Sequence, residues 1–305
     1  MLILTIMIYV VGSSNTDMVV RSEKLPAPGE TVIGESFLMN PGGKGANQAV
    51  GASRLGGQVT FIGKIGDDLF GRGTLDHFRQ EGLVTDFVVT DPELPSGIAL
   101  INVNAAGENC IAVAPGANNA LMGQEVLAGL EKLTAGDIVL VQLEIQPEAV
   151  EAAVNRAREK GAKVILNPAP ARHLPDNLLH DLFLITPNET EAALLTGMPV
   201  SGEEDVRRAA QMLLQKGVRN VVITLGSRGA LIRTNAYERM IAAPEVTAVD
   251  TTAAGDCFNG ALAVGLSERM NLEDAVRFAC AAAAVSVTRP GAQSAMPYRK
   301  EVVRE

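Results

Sequence analysis

The sequence predicts a three-layer α/β/α fold with a mainly parallel central sheet and a small protruding β-sheet lid. Three observations carry this expectation. Short, nearly continuous apolar runs alternate with longer amphipathic ones, as strands buried between covering helices do. Two β-rich patches, at Met18–Asn40 and Gly97–Ala114, interrupt the alternation. Polar side chains gather just after the apolar runs, where an open parallel sheet binds its ligands.

The opening run, MLILTIMIYVV, lacks the cationic start and small-residue cleavage site of a signal peptide and is too short to span a bilayer. It reads as a buried first strand over Ile6–Gly12, after a few extra leading residues. The next turn has no GxGxxG dinucleotide fingerprint, but its Asn15 and Asp17 suit hydroxyl groups. The first patch holds β-like pieces at Met18–Val20, Thr31–Val32 and Ser36–Met39, and the second reads as a hairpin. Between them, Pro41–Leu55 is a glycine-rich turn running into a helix of small residues. Its spacing around Lys44 is not that of a Walker A loop. The glycines let backbone N–H groups approach a ligand, and Lys44 and Asn47 supply further donors.

Beyond the turn, strands are expected at Gln58–Gly63, Val84–Val89, Asp137–Leu143, Lys163–Leu166, Leu182–Ile185 and Asn220–Leu225. Helices are expected at Leu69–Glu81, Gln124–Leu133, Pro147–Lys160 and Glu203–Lys216, with a short one ending at Gly197. The body then comprises residues 1–13, 42–95 and 116–305, and the lid residues 14–41 and 96–115. An exposed sheet has edges and an apolar face to protect, so pairing with a second copy, a homodimer, is expected there.

At 305 residues, with 47% hydrophobic and 20% charged residues, the chain fits one large α/β domain with a small appendage. Acidic residues outnumber basic ones by 35 to 26, and aromatics make up 4% with no Trp. Nucleic-acid and membrane partners are therefore not expected. Three cysteines without CxxC spacing point to a reducing, cytoplasmic compartment, with Cys257 a small buried residue rather than a nucleophile. The three histidines have no metal spacing.

The chain is organised around Asp250-Thr-Thr-Ala-Ala-Gly-Asp256, after a β-like run at Val246–Val249 and before an apolar helix. Such a turn aims N–H groups and a helix N-terminus at one point, which favours an anion. Asp256 within it fits two roles: a helix cap, or a base that takes a proton from whatever attacks a bound phosphate. Asn15, Asp17, Glu144, Asn188, Glu191 and the stretch from Thr224 to Gly229 fall at the other strand ends. An anion hole, a base, a carboxylate for a divalent ion and hydroxyl-gripping groups together describe phosphoryl transfer to an alcohol.

Four motifs, Pro41-Gly-Gly-Lys-Gly-Ala-Asn-Gln-Ala49, Asn167-Pro-Ala-Pro-Ala171, Thr186-Pro-Asn-Glu-Thr-Glu191 and Asp250 to Asp256, resemble those of the ribokinase-like (phosphofructokinase-B) carbohydrate kinases over essentially the whole chain. The resemblance implies ATP-dependent phosphorylation of a sugar, with D-ribose at O5 as the expected acceptor and 2-deoxyribose, a ketohexose or a nucleoside as rivals. A non-catalytic sugar-binding protein on the same fold is a more distant alternative. Asp256 would be the base, and the backbone of Ala253, Ala254 and Gly255 would form the anion hole. Asn15, Thr16, Asp17, Gly43, Lys44, Gly45, Ala46, Asn47 and Glu144 would hold the sugar. Asn188, Thr224, Leu225, Gly226, Ser227, Arg228, Gly229 and Cys280 would line the ATP site, with Ala254 and Gly255. Glu191 would organise Mg²⁺ through water. Asp250, Thr252, Ser286, Arg289, Gly291 and Ala295 would surround an activating K⁺. Three positions depart from common family patterns: Ala253 replaces a glycine, Cys280 a histidine beside the adenine, and Ala295 a hydroxyl residue at the cation site.

Overall fold

In the computed structural model, which describes residues 5–303, β1 (Ile8–Val11) lies inside a nine-stranded sheet. The expected leading residues, 1–4, lie outside the described part. The chain continues through β2 (Asn15–Arg21), β3 (Ser36–Gly42), α1 (Lys44–Arg54), β4 (Val59–Gly66), α2 (Leu69–Gln80) and β5 (Val84–Asp91). Next come β6 (Gly97–Val103), β7 (Asn109–Ala114), α3 (Gly123–Gly129), β8 (Ile138–Val141), α4 (Pro147–Lys160), β9 (Lys163–Leu166), α5 (Asp176–Leu179) and β10 (Leu184–Ile185). The last part holds α6 (Glu189–Thr196), α7 (Glu203–Gln215), β11 (Asn220–Thr224), β12 (Ala230–Thr234), β13 (Glu238–Ile241), α8 (Ala254–Ser267), α9 (Leu272–Ser286) and α10 (Arg299–Val302).

The large sheet runs β13-β12-β11-β10-β9-β8-β1-β4-β5, parallel except for the antiparallel pairs β11–β12 and β12–β13. Its central strands are buried on both faces, and alternation divides their side chains between two cores. Ile8, Val10, Ile138 and Leu140 pack with α1, α8 and α9, whereas Tyr9, Val11, Val139 and Val141 pack with α3, α4 and α7. Local signals set several boundaries. Helix α4 starts with Pro147 and stops at Gly161, whose φ of 70° ends the helix in the left-handed region.

The sheet is mainly parallel, as expected, and its antiparallel edge is formed by β12 and β13, two strands outside the expected set. Three expectations are corrected. Val246–Val249 is not a strand, and both valines are exposed because the segment runs over the surface. Thr31–Val32 also lies outside any strand. Helix α3 ends at Gly129, before the expected Leu133, and the turn residues Leu130, Glu131 and Lys132 follow. The β-rich patches do form a separate four-stranded sheet, β3-β2-β6-β7, in which β2 and β6 run parallel.

Candidate active site

Residues from four elements meet at Asp256 in the first turn of α8. The preceding Ala253 adopts φ 58°, ψ 16°, a left-handed conformation that costs an L-residue roughly 1–2 kcal/mol. That bend turns the chain sharply into α8, where the Ala254 N–H donates to the Thr251 carbonyl at 3.2 Å and the Gly255 and Asp256 N–H groups have no backbone acceptor among the described residues. A Cβ added at Gly255 would meet nothing within 4 Å, because this residue borders open space.

Asp256 is buried at 7% exposure, and its carboxylate is held by two amides from α1: Asn47 Nδ2 donates to Oδ2 and Gln48 Nε2 to Oδ1, both at 2.9 Å. Burial pushes its pKa up, opposed by the Lys44 ammonium and by these two donors. A buried carboxylate with a raised pKa is a stronger base than an exposed one. Lys44 opens α1, which comes close to β1 because Gly45 has no side chain: a Cβ there would lie 2.7 Å from Gly12. Burial disfavours the Lys44 charge, but Asp256, Glu144, Glu191 and Asp17 outweigh it and push its pKa up.

Glu144, just after β8, accepts from Ser13 Oγ at 2.6 Å and from the Lys44 N–H at 3.1 Å. Asp17 reaches the same region from β2, and burial with the nearby Glu144 and Asp256 charges pushes its pKa up to about 6. Asn15 begins β2, and its Oδ1 accepts from Asn118 Nδ2 at 2.8 Å. Asn118 also clamps both backbone groups of Ser14, so it fixes the point where the chain enters the small sheet. Nothing in the sequence distinguished Asn118.

Some expected sugar-site residues do other work. Thr16 alternates to the face of β2 opposite Asn15 and Asp17. Ala46 is fully buried in the core, while its N–H donates to the Ser13 carbonyl. Gly43, at φ 89°, would clash with Asn15 N at 2.7 Å if it carried a Cβ, so it serves the close approach of the turn.

On the other side of Ala254–Gly255 lies a cavity of about 380 Å³. Thr224, Gly226, Ser227, Gly229 and Cys280 line it, as the sequence suggested. Leu225 instead packs in the core, Arg228 pairs with Glu189 at the surface, and Asn188 caps α6. The sequence reading missed Ala243–Ala248, Phe258 and the α9 face at Ala283, Ala284 and Val287. Burial pushes the Cys280 thiol up to about 11 and the Cys257 thiol up to about 12, so both stay neutral.

Glu191 sits at the third position of α6 in a capping box: its Oε2 accepts from the Asn188 N–H, and Asn188 Oδ1 accepts from the Glu191 N–H. Burial raises its pKa. Among the described residues no three His, Cys, Asp or Glu side chains converge as a metal cluster. A divalent ion at Glu191 would therefore be held through water and phosphate oxygens. Asp250 accepts from Thr252 N and Oγ1 and from the Gly291 N–H, tying the two loops together. Burial works against its charge, but these donors outweigh it and hold its pKa low. The hydroxyls of Thr252 and Ser286 are both spent on internal bonds, and the Ala295 carbonyl accepts from Arg289 Nε.

Residues 5–299 match the model of the pfkB family carbohydrate kinases. The chain is 44% identical over 294 residues to the ribokinase of Haemophilus influenzae, covering 96% of each, and 39% identical over 291 residues to a deoxyribokinase of Salmonella typhi, covering 95% of each. The structure of Arabidopsis thaliana ribokinase complexed with ribose and ATP superposes with a TM-score of 0.89 at 33% identity, covering 98% of each chain. The chain belongs to the pfkB family of carbohydrate kinases.

Proposed function

We infer that this protein is an ATP-dependent kinase that phosphorylates D-ribose at O5, giving D-ribose 5-phosphate. The observation that carries this reading is the placement of Asp256. It is a buried carboxylate of raised pKa, lying between a polar pocket and the turn that opens a cavity suited to a nucleotide. Relatives named ribokinase, 38–44% identical over nearly the whole chain, support ribose as the acceptor. Deoxyribose is the second reading, because the deoxyribokinase is almost as similar. Discrimination of one hydroxyl can rest on a single side chain near Asn15.

In this reading Asp17, Lys44, Asn47 and Glu144 hold the sugar so that its primary hydroxyl points at Asp256. Asp256 takes that proton as the oxygen attacks the terminal phosphoryl in line and the bond to the β–γ bridging oxygen breaks, with ADP leaving. The N–H groups of Gly255 and Asp256 carry the charge that develops on the transferring group. Mg²⁺, organised from Glu191, neutralises phosphate charge when bound. K⁺ near Asp250 and Gly291 would stiffen the loops that flank the turn.

The four-stranded sheet is the lid over the sugar, and two copies of the chain pair through it. Phe37 and Leu100 are exposed together on the face of this sheet opposite Asn15 and Asp17, and such an apolar surface is commonly covered by a partner. No helix among the described residues is long and apolar enough to cross a membrane, and the cysteines are free. The free cysteines fit the reducing, cytoplasmic compartment proposed for the chain. The test is ADP release with ribose, deoxyribose, fructose or adenosine, each with and without K⁺. The highest kcat/KM is expected for ribose, with stimulation by K⁺. A preference for deoxyribose or adenosine would replace this acceptor.

A further inference from the structure

Gln48 and Gln142 are both fully buried, yet neither has a place in the chemistry described above. Gln48 Nε2 donates to Asp256 Oδ1 at 2.9 Å and to Asn167 Oδ1 at 3.0 Å. The orientation of this amide is forced twice. An ionised Asp256 can only accept. Asn167 must also accept, because its Nδ2 donates to the Thr186 carbonyl at 3.3 Å. Gln48 Oε1 is thereby turned towards Gln142, whose Nε2 donates to it at 2.6 Å. The cost collects at the far end, where Gln142 Oε1 is buried without a partner. Leaving a buried acceptor unmet costs about 1–3 kcal/mol, a cost that calls for a reason.

The same chain of bonds runs on into the anion-binding turn. Thr186 Oγ1 donates to Asn259 Oδ1 at 2.6 Å, and Asn259 Nδ2 donates to the Gly255 carbonyl at 2.8 Å. Three motifs distant in sequence therefore meet at Gln48: the helix after the glycine-rich turn, Asn167-Pro-Ala-Pro, and Thr186-Pro-Asn-Glu. We propose that Gln48 is a positioning residue for phosphoryl transfer, holding the Asp256 carboxylate deprotonated and in register with the Gly255 turn, while Gln142 fixes the direction of its amide. The proposal rests on Asp256 being the base.

Other groups also act on Asp256: Lys44 from α1, Glu144 after β8, Asp17 from β2, Glu191 from α6 and its neighbour Cys257. Lys44 favours the ionised form and the carboxylates oppose it. Gln48 is one of two neutral donors, with Asn47, so its removal leaves the charges in place.

The experiment compares the pH dependence of kcat in the wild type and in Gln48→Met, which keeps the length of the side chain and loses its donors. Losing a donor to the charged form raises the pKa of the base, so the acidic limb should move up by about one pH unit. On the acidic side of the wild-type limb kcat should then fall by up to about 10-fold and recover at alkaline pH, with both KM values within about 3-fold of wild type. Gln142→Met keeps both donor bonds of Gln48 and should move the limb in the same direction by less. If Gln48→Met does not fold, Gln48→Glu takes its place. It can supply at most one donor, and its limb should also move up. A folded Gln48 variant whose acidic limb stays at the wild-type position, with lower thermal stability alone, overturns the proposal. Asp256→Asn is measured alongside: near-native turnover in that variant sinks the base assignment itself, whereas its inactivity with an unmoved Gln48 limb sinks the positioning role alone.

Discussion

On one side of the turn Ala253–Asp256, the pocket is crowded with charge: Glu144 and Asp256 act on Asp17 and Lys44, and the amides of Asn47 and Gln48 bind the Asp256 oxygens. On the other side the cavity is lined mostly by glycine, alanine, valine and a neutral thiol. The first region recognises by directed bonds that must be satisfied one at a time, and the second by shape and apolar area. Substitutions in the two regions should therefore fail differently. Polar-side changes should alter the chemistry and its pH dependence, and apolar-side changes should alter nucleotide affinity alone.

The largest effect is expected at the junction. Asp256→Asn keeps the shape of the side chain but cannot accept the proton, and kcat should fall at least ~10²-fold in ribose-dependent ADP release. On the apolar side, Ala284→Leu places a branched side chain in the cavity from α9. The KM for ATP should rise about 10-fold, with the KM for ribose within about 3-fold. Equal rises in both KM values would erase the proposed division of the site.

Asp17 sharpens the comparison through pH. Its pKa of about 6 in the folded protein lies above the ordinary value of 3.8, so folding favours the protonated form and stability declines as pH rises between these two values. Asp17→Asn removes that cost, and denaturant unfolding at pH 8 should show a gain of ~1–2 kcal/mol that shrinks below pH 6. The same variant should raise the KM for ribose about 10-fold, and the wild-type KM should rise as pH falls through about 6. The smallest effect on turnover is expected at the lid. Phe37→Lys with Leu100→Lys, on one face of the small sheet, should sediment as a monomer at micromolar concentration, with kcat within about 3-fold of wild type. A wild-type protein that is already monomeric would remove the dimer from the proposal.

The same contrast explains what could be read from the sequence. Asp256, Asp17 and Glu144 carry distinctive chemistry at strand ends, so a parallel-sheet reading places them on one edge, whereas Lys44 and Asn47 stand out through the glycine-rich turn that carries them. Ala243, Ala284 and Val287 carry none, and their role comes from the curvature of a loop and from α9, which the sequence reading lacked. Val246–Val249 had the composition of a strand but finds no partner strand, and composition cannot report pairing. Strands β12 and β13 were overlooked because they are short and β13 is half exposed, which weakens any apolar run. Gln48 lay inside a motif that was read for its glycines, lysine and asparagine. A buried amide gains meaning from its partners, here Asp256, Asn167 and Gln142, which are far away in sequence. Glu191 shows the opposite difficulty, because one carboxylate both caps α6 and faces the proposed metal position.

The assignment of Asp256 is tested most directly by ligand binding and turnover on one preparation of Asp256→Asn. Ribose and a non-hydrolysable ATP analogue are titrated calorimetrically, and ribose-dependent ADP release is then measured. Both ligands are expected to bind within about 10-fold of wild-type affinity while turnover drops at least ~10²-fold, since the lost group acts on the proton. Turnover within about 10-fold of wild type, or loss of ribose binding together with turnover, would contradict the role of Asp256 as the base.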